Sequence, residues 1–266
     1  NLFGSAYDAD SEGEEGKYYT FLYDEIKNIK DIEKYFDIKP SGNWEGKIIL
    51  REIKPPTSLI LSELLKVREK KKKPLFDNKT QLDLNCYFIS SLVHAHIAIP
   101  DQNFLSIGEE IFKNIEKKFF KNNLFHSNSE SVVFLEDYAY LVNSLIDLNE
   151  QTLNASYRLL ANKFCKETID KFYLKDKNIF QKNSIKNNDI FIEPIDISDH
   201  TIPNGNSLML MNFIRLGFKN ESSELAKSLN SYLNTYKTYM ISSVKSIDFY
   251  NEISSGKNCN IDGCKI

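Results

Sequence analysis

Residues 134–148, FLEDYAYLVNSLIDL, decide the fold. Phe134, Tyr138, Leu141, Leu145 and Leu148 recur at three- and four-residue steps, the period of an amphipathic helix, and Val133 extends the stripe. Its start is expected at Ser129 or Glu130. Working outward, Leu59, Leu61, Leu64, Leu65 and Val67 mark a helix from Ser58 that ends in a basic run, Arg68 to Lys73, and breaks at Pro74. Leu84, Tyr87, Phe88, Leu92 and Val93 carry another to about Ile99. Asp101 caps the next, bearing Phe104, Ile107, Ile111, Phe112, Ile115 and Phe119. Further helices are expected over about Leu153 to Tyr173, Gly205 to Phe218 and Ser222 to about Val244. Short connections make neighbours antiparallel hairpins. Tyr18 to Tyr23, Ile179-Phe180 and Ile190 to Ile192 read as short strands, and Asp24 as the cap of a helix running to about Phe36. The sum is a mainly α chain of about eight helices with three small strand pairs, a layered α/α toroid or a bundle array rather than a doubly wound sheet.

A chain of 266 residues is long enough for a sizeable core. A net charge of -3 argues against a nucleic-acid partner or an anionic membrane surface. No apolar run reaches the roughly 18 residues of a membrane span, and no signal-peptide pattern opens the chain. Four cysteines are too few for a disulfide scaffold, so a cytoplasmic, reducing compartment is the expectation. Thirty Lys against four Arg fit an AT-rich genome better than a function.

The N-terminal segment crowds Asp8, Asp10, Glu12, Glu14 and Glu15 among Gly4, Gly13 and Gly16. Such a segment makes a shaped loop that cations, a ligand or positive side chains must hold. A calcium-binding loop fails, because the position that needs a bidentate Glu is Tyr19. Paired carboxylates offer a second reading, in which one protonates a glycosidic oxygen and another activates water or attacks. The third is a solvated acidic turn tied by Lys17. Glu15-Gly16-Lys17 is echoed by Glu45-Gly46-Lys47, each corner entering a short strand. Trp44, the sole tryptophan, is read either as a stacking surface for a sugar or as wall packing.

Asp137 and Tyr138 present a carboxylate and a phenol for hydroxyl groups, or else order the start of a buried helix. Asp199, His200, Asn204 and Asn206 surround Gly205 just before a helix, as ligand donors or as caps. His94 and His96 are two apart on a helix and face different ways, so zinc is not expected. Cys259 and Cys264 have no nearby histidine.

Taken in order, GSAYDADSEGEEGKYYTF, NWEGKIIL, KKPLFDNKTQLDLN, FLEDYAYLVNSLIDL and DHTIPNGNSLMLMNFIRL resemble blocks of one family. These are the thioredoxin-domain proteins typified by spermatogenesis-associated protein 20. In that family a thioredoxin-like domain precedes a helical domain similar to the six-hairpin glycosidases and the N-acylglucosamine 2-epimerases. The likeness runs over about residues 2 to 218. The chain departs from it at Leu84-Asn85-Cys86, where family members carry Trp-Asn-Gly; Cys259 and Cys264 match a C-terminal pair.

The resemblance implies a mainly α fold, an incomplete (α/α)6 toroid of antiparallel helical hairpins with a few short β-hairpins at the barrel mouth: residues 1–256 form a barrel domain short of its first hairpins, with 257–266 as a Cys-containing tail. Together with the opening on Asn1, it leads to the expectation of a fragment whose thioredoxin-like domain lies upstream. The function expected is a carbohydrate-related site at the barrel mouth, glycosidase- or epimerase-like. Asp8 and Asp10 are its acid or base residues, and Glu12, Trp44, Glu45, Asp137, Tyr138, Asp199, Asn204 and Asn206 bind substrate, with no metal and no cofactor. The alternative is a non-catalytic scaffold presenting clients to the upstream domain.

Overall fold

The computed structural model describes residues 2–100, 102–120, 124–128, 132–184, 194–256, 259–260 and 263–264. They form two compact units, Gly4–Asn78 and Asn1–Phe3 with Lys79–Ile266.

The smaller unit holds strands β1 (Ala6–Tyr7), β2 (Asp10–Ser11) and β3 (Glu14–Glu15), helices α1 (Tyr23–Ile26) and α2 (Ser58–Glu69), and strand β4 (Phe76–Asp77). β1 pairs antiparallel with β4, Ala6 opposite Asp77, and β2 pairs with β3, Asp10 opposite Glu15. The β2–β3 turn is two residues, Glu12 and Gly13, both at positive φ (57° and 75°). That is the turn whose twist matches a hairpin, and glycine suits its second position. Glu45 and Gly46 repeat it at φ 46° and 76°, with Trp44 bridged to Lys47. The echo seen in the sequence is therefore offset: the second Glu-Gly is a hairpin turn, and its structural counterpart is Glu12-Gly13. The strand expected over Tyr18 to Tyr23 reduces to an isolated bridge from Phe21 to Ile48. The helix expected from Asp24 to Phe36 is the single turn α1 and a 3-10 turn at Ile32–Lys34. Phe21, Ile26, Ile32, Phe36, Ile48, Ile60 and Leu64 form this unit's own core.

The larger unit runs α3 (Leu82–Ala98), α4 (Phe104–Phe119), α5 (Leu135–Thr152), α6 (Ala155–Phe172), β5 (Tyr173–Leu174), β6 (Ile179–Phe180), α7 (Gly205–Leu216), α8 (Lys219–Tyr236), α9 (Ile241–Ser254), β7 (Cys259–Asn260) and β8 (Gly263–Cys264). Its centre is α5, which packs against α3, α6 and α7. Tyr138, Ala139, Leu141, Val142, Leu145 and Leu148 of α5 are fully buried. Truncating any one of these leucines would cost about 2–5 kcal/mol. The described part of this helix begins at Leu135; Ser129, Glu130 and the strand expected at Ile190 to Ile192 lie outside the described residues.

The helix expected over Ser222 to Val244 is divided. After α8 the chain passes through a 3-10 turn, Lys237–Tyr239, and restarts as α9. Met240 at the break is fully buried, and the Asp199 carboxylate accepts the Ser242 backbone N–H at 2.7 Å, which supplies a start signal for α9 from another segment. Gly205 opens α7 at a tight approach: a Cβ there would stand 2.8 Å from Leu135 Cγ. Only a glycine lets the starts of α5 and α7 meet so closely. β7 and β8 set Cys259 opposite Cys264; those side chains lie outside the described residues.

Candidate functional site

The starts of α3, α5 and α7 meet around one cavity of the larger unit, about 300 Å³, lined by Asp83, His126, Phe134, Glu136, Lys182, Asp196, Ser198, His200, Ile202, Pro203 and Asn204. Each acid arrives by a local rule. Asp83 lies in the first turn of α3, where exposed amides favour a carboxylate, and its Oδ1 accepts the Leu84 N–H at 2.8 Å. Asp137 occupies the third position of α5 and accepts the Phe134 N–H at 2.8 Å, the reciprocal half of a capping box. His126 is brought in by its loop: its carbonyl accepts the Leu82 N–H and its own N–H donates to the Val132 carbonyl, both at 2.8 Å.

The side chains form one network. His126 Nδ1 lies 3.0 Å from Asp137 Oδ1, and His126 Nε2 lies 3.1 Å from the Gln81 amide nitrogen. Read as a donor to Asp137, Nδ1 carries the proton, and Nε2 is the basic nitrogen accepting from Gln81. Asp83, His126 and Asp137 each offer an atom within 4.8 Å of the others, a grouping of the kind that holds a metal ion. Hydrogen bonds already engage both oxygens of Asp137 and both ring nitrogens of His126, so the arrangement is better matched to proton transfer than to coordination.

Burial sets the electrostatics. Asp83 is 8% exposed; burial, reinforced by the Asp137 charge, pushes its carboxyl up to about 6. Burial also raises Glu136, whose Oε2 is enclosed without a hydrogen-bond partner. On the facing wall Lys182 Nζ is 3.8 Å from Asp196 Oδ2, and His200 Nε2 is 3.6 Å from the same oxygen.

Asp137 stands behind His126, fully buried, so it reaches the cavity through the imidazole. Tyr138 points into the core, where its hydroxyl accepts from Lys171 Nζ at 2.6 Å and donates to Glu167. Asp199 accepts four hydrogen bonds, from the side chains and backbone of Ser242 and Asn204; burial pushes its carboxyl up, but these donors outweigh it and hold the group below its ordinary value. Asn204 caps α7, accepting the Ser207 N–H at 2.9 Å, while also lining the cavity. Asn206 is fully buried and ties α7 to β6, accepting the Phe180 N–H and donating to the Phe180 carbonyl.

Asp8, Asp10, Glu12, Trp44 and Glu45 all belong to the smaller unit. Asp8 and Asp10 are exposed, and the Asp8 carboxylate accepts the Asp10 N–H at 3.0 Å, closing a local turn. Lysines hold the loop, as its charge demands: Lys17 pairs with Glu12 at 2.9 Å and Lys47 with Glu14. Both pairings draw the glutamate carboxyls below their ordinary range. Trp44 packs with its ring edge 3.8 Å from where a Cβ on Gly16 would stand, beneath the Lys47 ammonium. Glu45 forms the turn described above.

Asp83, His126, Glu136 and Asp196 were not singled out in the sequence. A buried-side Asp in the first turn of α3, between Leu82 and Leu84, was the available signal for the first of them. Among the described residues no helix is long and apolar enough to cross a membrane.

A comparison with protein-family models finds no match, and neither does one with curated proteins. Among solved structures the chain is similar to a GH76 α-mannanase of Bacteroides thetaiotaomicron, at 13% identity and a TM-score of 0.55 over 70% of this chain and 56% of the mannanase. It also overlaps a sugar epimerase from a ruminal bacterium (12% identity, TM-score 0.45, 68% of this chain and 55% of the epimerase). A cellobiose 2-epimerase of Bacillus thermoamylovorans overlaps similarly (10%, 0.47, 70% and 62%). The chain thus spans a little over half the length of the mannanase, and the likeness is one of fold: a mainly helical chain of the helical-toroid type.

Proposed function

We propose that the cavity at the starts of α3, α5 and α7 binds a saccharide and carries out acid–base chemistry on it. The observation that supports this is Asp83: a carboxyl raised to about 6, at a cavity wall, with His126 and Asp137 within 4.8 Å. A carboxyl at that value keeps its proton in a far larger fraction of molecules near neutral pH than an ordinary carboxylate does, and it releases that proton to a sugar oxygen readily. His126, held by Asp137, takes the proton in the opposite direction, and Asp137 is its positioning residue. Glu136, with an enclosed unpartnered oxygen, accepts a ligand hydroxyl; Asn204 and Asp196 complete the polar wall. This places the chemistry of the expected carbohydrate-related site on Asp83 and His126. Asp8 and Asp10 would serve as turn formers in the smaller unit. The fold likeness to the mannanase supports a saccharide ligand, the sequence blocks quoted above support the further reading of a thioredoxin-domain relative with a thioredoxin-like partner domain, and the small number of cysteines supports a cytoplasmic setting.

The test is a saccharide panel screened by ligand-observed NMR against the wild type, followed by turnover assays with Asp83→Asn and His126→Asn. Binding that persists in both variants while turnover is lost supports the assignment. Turnover unchanged in both, or no saccharide bound by the wild type, refutes it.

A further inference from the structure

We infer a second binding site, in the smaller unit, for a phosphate-type dianion. It is independent of the saccharide reading, since it uses none of the same residues. A cavity of about 530 Å³ is lined by the acidic loop (Ser11, Glu12, Glu14, Lys17), the stretch Thr20 to Leu22 with Glu25, and the lysines Lys47, Lys70, Lys71 and Lys72. That volume lies within the range of small-molecule sites.

The charge arrangement selects the ligand. Three of the five lysines have carboxylate partners: Lys17 with Glu12 at 2.9 Å, Lys47 with Glu14, and Lys71 with Glu25 at 2.9 Å. Among the described residues Lys70 and Lys72 form no close ion pair, although the Lys72 charge also acts on Glu12, so five lysines face three glutamates and the cavity wall keeps an excess of two positive charges. The position of Lys70 and Lys72 follows from local structure: they sit at the end of α2, where unsatisfied carbonyls attract cations. The Lys72 carbonyl accepts the Ser11 hydroxyl at 2.5 Å, so the basic run and the acidic hairpin form two walls of one preformed cleft.

The paired lysines are fixed and would not collapse onto an anion at random. Lys71 donates to the Thr20 carbonyl at 2.7 Å and lies 4.9 Å over the Phe21 ring. Lys47 lies 5.7 Å over Trp44. A tetrahedral dianion between Lys70 and Lys72 would neutralise both charges, and Phe21 with Leu22 offers an apolar floor to an organic group carried by the phosphate. The chemistry is shared by inorganic phosphate and a phosphate monoester.

Trp44 is the only tryptophan in the chain and touches a lining lysine, so its fluorescence reports on the site. The whole chain is titrated at constant ionic strength with inorganic phosphate, with a hexose phosphate and with chloride. A saturable change with either phosphate and none with chloride is expected. The exposed pair Lys70→Gln and Lys72→Gln should weaken binding at least about tenfold, while Lys70→Arg with Lys72→Arg retains it. Tighter binding of the hexose phosphate assigns the floor to an organic group, and equal binding assigns the site to free phosphate. An equal response to chloride, or unchanged affinity in the folded Gln pair as checked by circular dichroism, overturns the proposal.

Discussion

Replacing Asp83 with Asn should stabilise the protein in a pH-dependent way. Burial and then the Asp137 charge raise this carboxyl from 3.8 to about 6, so the folded chain holds the proton more tightly than the unfolded one. Between those two values folding takes up a proton, and stability therefore falls as pH rises. Two units and a fraction, at about 1.4 kcal/mol each, give a penalty of about 3 kcal/mol, fully present above the folded value and absent below the unfolded one. Asn is nearly isosteric, cannot ionise, and keeps an oxygen for the Leu84 N–H that Asp83 bonds at 2.8 Å. The variant should therefore exceed the wild type by up to about 3 kcal/mol near pH 8, and the two should converge near pH 4. Urea unfolding followed by far-ultraviolet circular dichroism at a series of pH values reads the difference directly. A gap of equal size at about pH 5 and pH 8, or a variant less stable than wild type at about pH 8, would refute the reasoning. Loss of turnover in the same variant would mark the penalty as one retained for function.

Other variants probe the frame around the cavity. Arg215 of α7 is 9% exposed and binds Asp147 and Glu150 of α5, each at 2.7 Å. Arg215→Met should cost about 3–5 kcal/mol in the same unfolding assay, and adding Asp147→Leu should restore much of it; a single-variant loss below about 1 kcal/mol would show the pair to be dispensable. Gly205→Ala should cost about 1–3 kcal/mol, because its Cβ meets Leu135, and a neutral result would mean that the two helix starts part freely. The Asp199 carboxyl is depressed, so its contribution is present above the ordinary carboxylate value and disappears as pH falls through the folded one. Asp199→Asn should remove that acid-dependent step from the hydrogen-exchange protection of α9, and an unchanged profile would separate Asp199 from α9. Cys165 is pushed up to about 12 and Cys86 is raised also, both by burial. In a Cys259→Ser, Cys264→Ser background neither should react with a thiol reagent until the chain unfolds, and rapid reaction of the native protein would contradict their burial.

The helices were legible because a buried face repeats its apolar residues at each turn. α4 buries Ile111, Phe112, Ile115 and Phe119 of its expected stripe, its expected cap Asp101 lying outside the described residues, and α6 and α7 fall within their expected ranges. α2 and α3 form where expected but turn other faces inward, since Leu59, Leu61, Leu65, Leu84, Tyr87 and Phe88 are exposed while Ile60, Leu64, Leu82, Cys86 and Ile89 are buried. The division between α8 and α9 was not legible, since the stripe through Leu225, Leu229 and Leu233 continues in sequence to Met240 while the break is imposed by Asp199, which lies before α7. The site shows the same limit. A carboxylate in the first turn of a helix is an ordinary cap, and nothing near Asp83 in sequence announces that the loop of His126 will bury it. The acidic segment stood out by charge, and Lys17 and Lys47 pair with two of its five carboxylates, Glu12 and Glu14, within the smaller unit. Conspicuous charge was a guide to how a loop is held; the raised carboxyl came from burial, which composition does not display.

The pairing of β1 with β4 has one more consequence. With Ala6 opposite Asp77, and the Ser5 N–H donating to the Asp77 carbonyl at 3.1 Å, the segment Gly4–Asn78 leaves and returns at the same place. Its closure is local, and its core residues all fall inside it. Its two ends are therefore held together by its own first and last strands, and a segment of another length closed by the same pair would differ in closure cost only by the logarithm of its length.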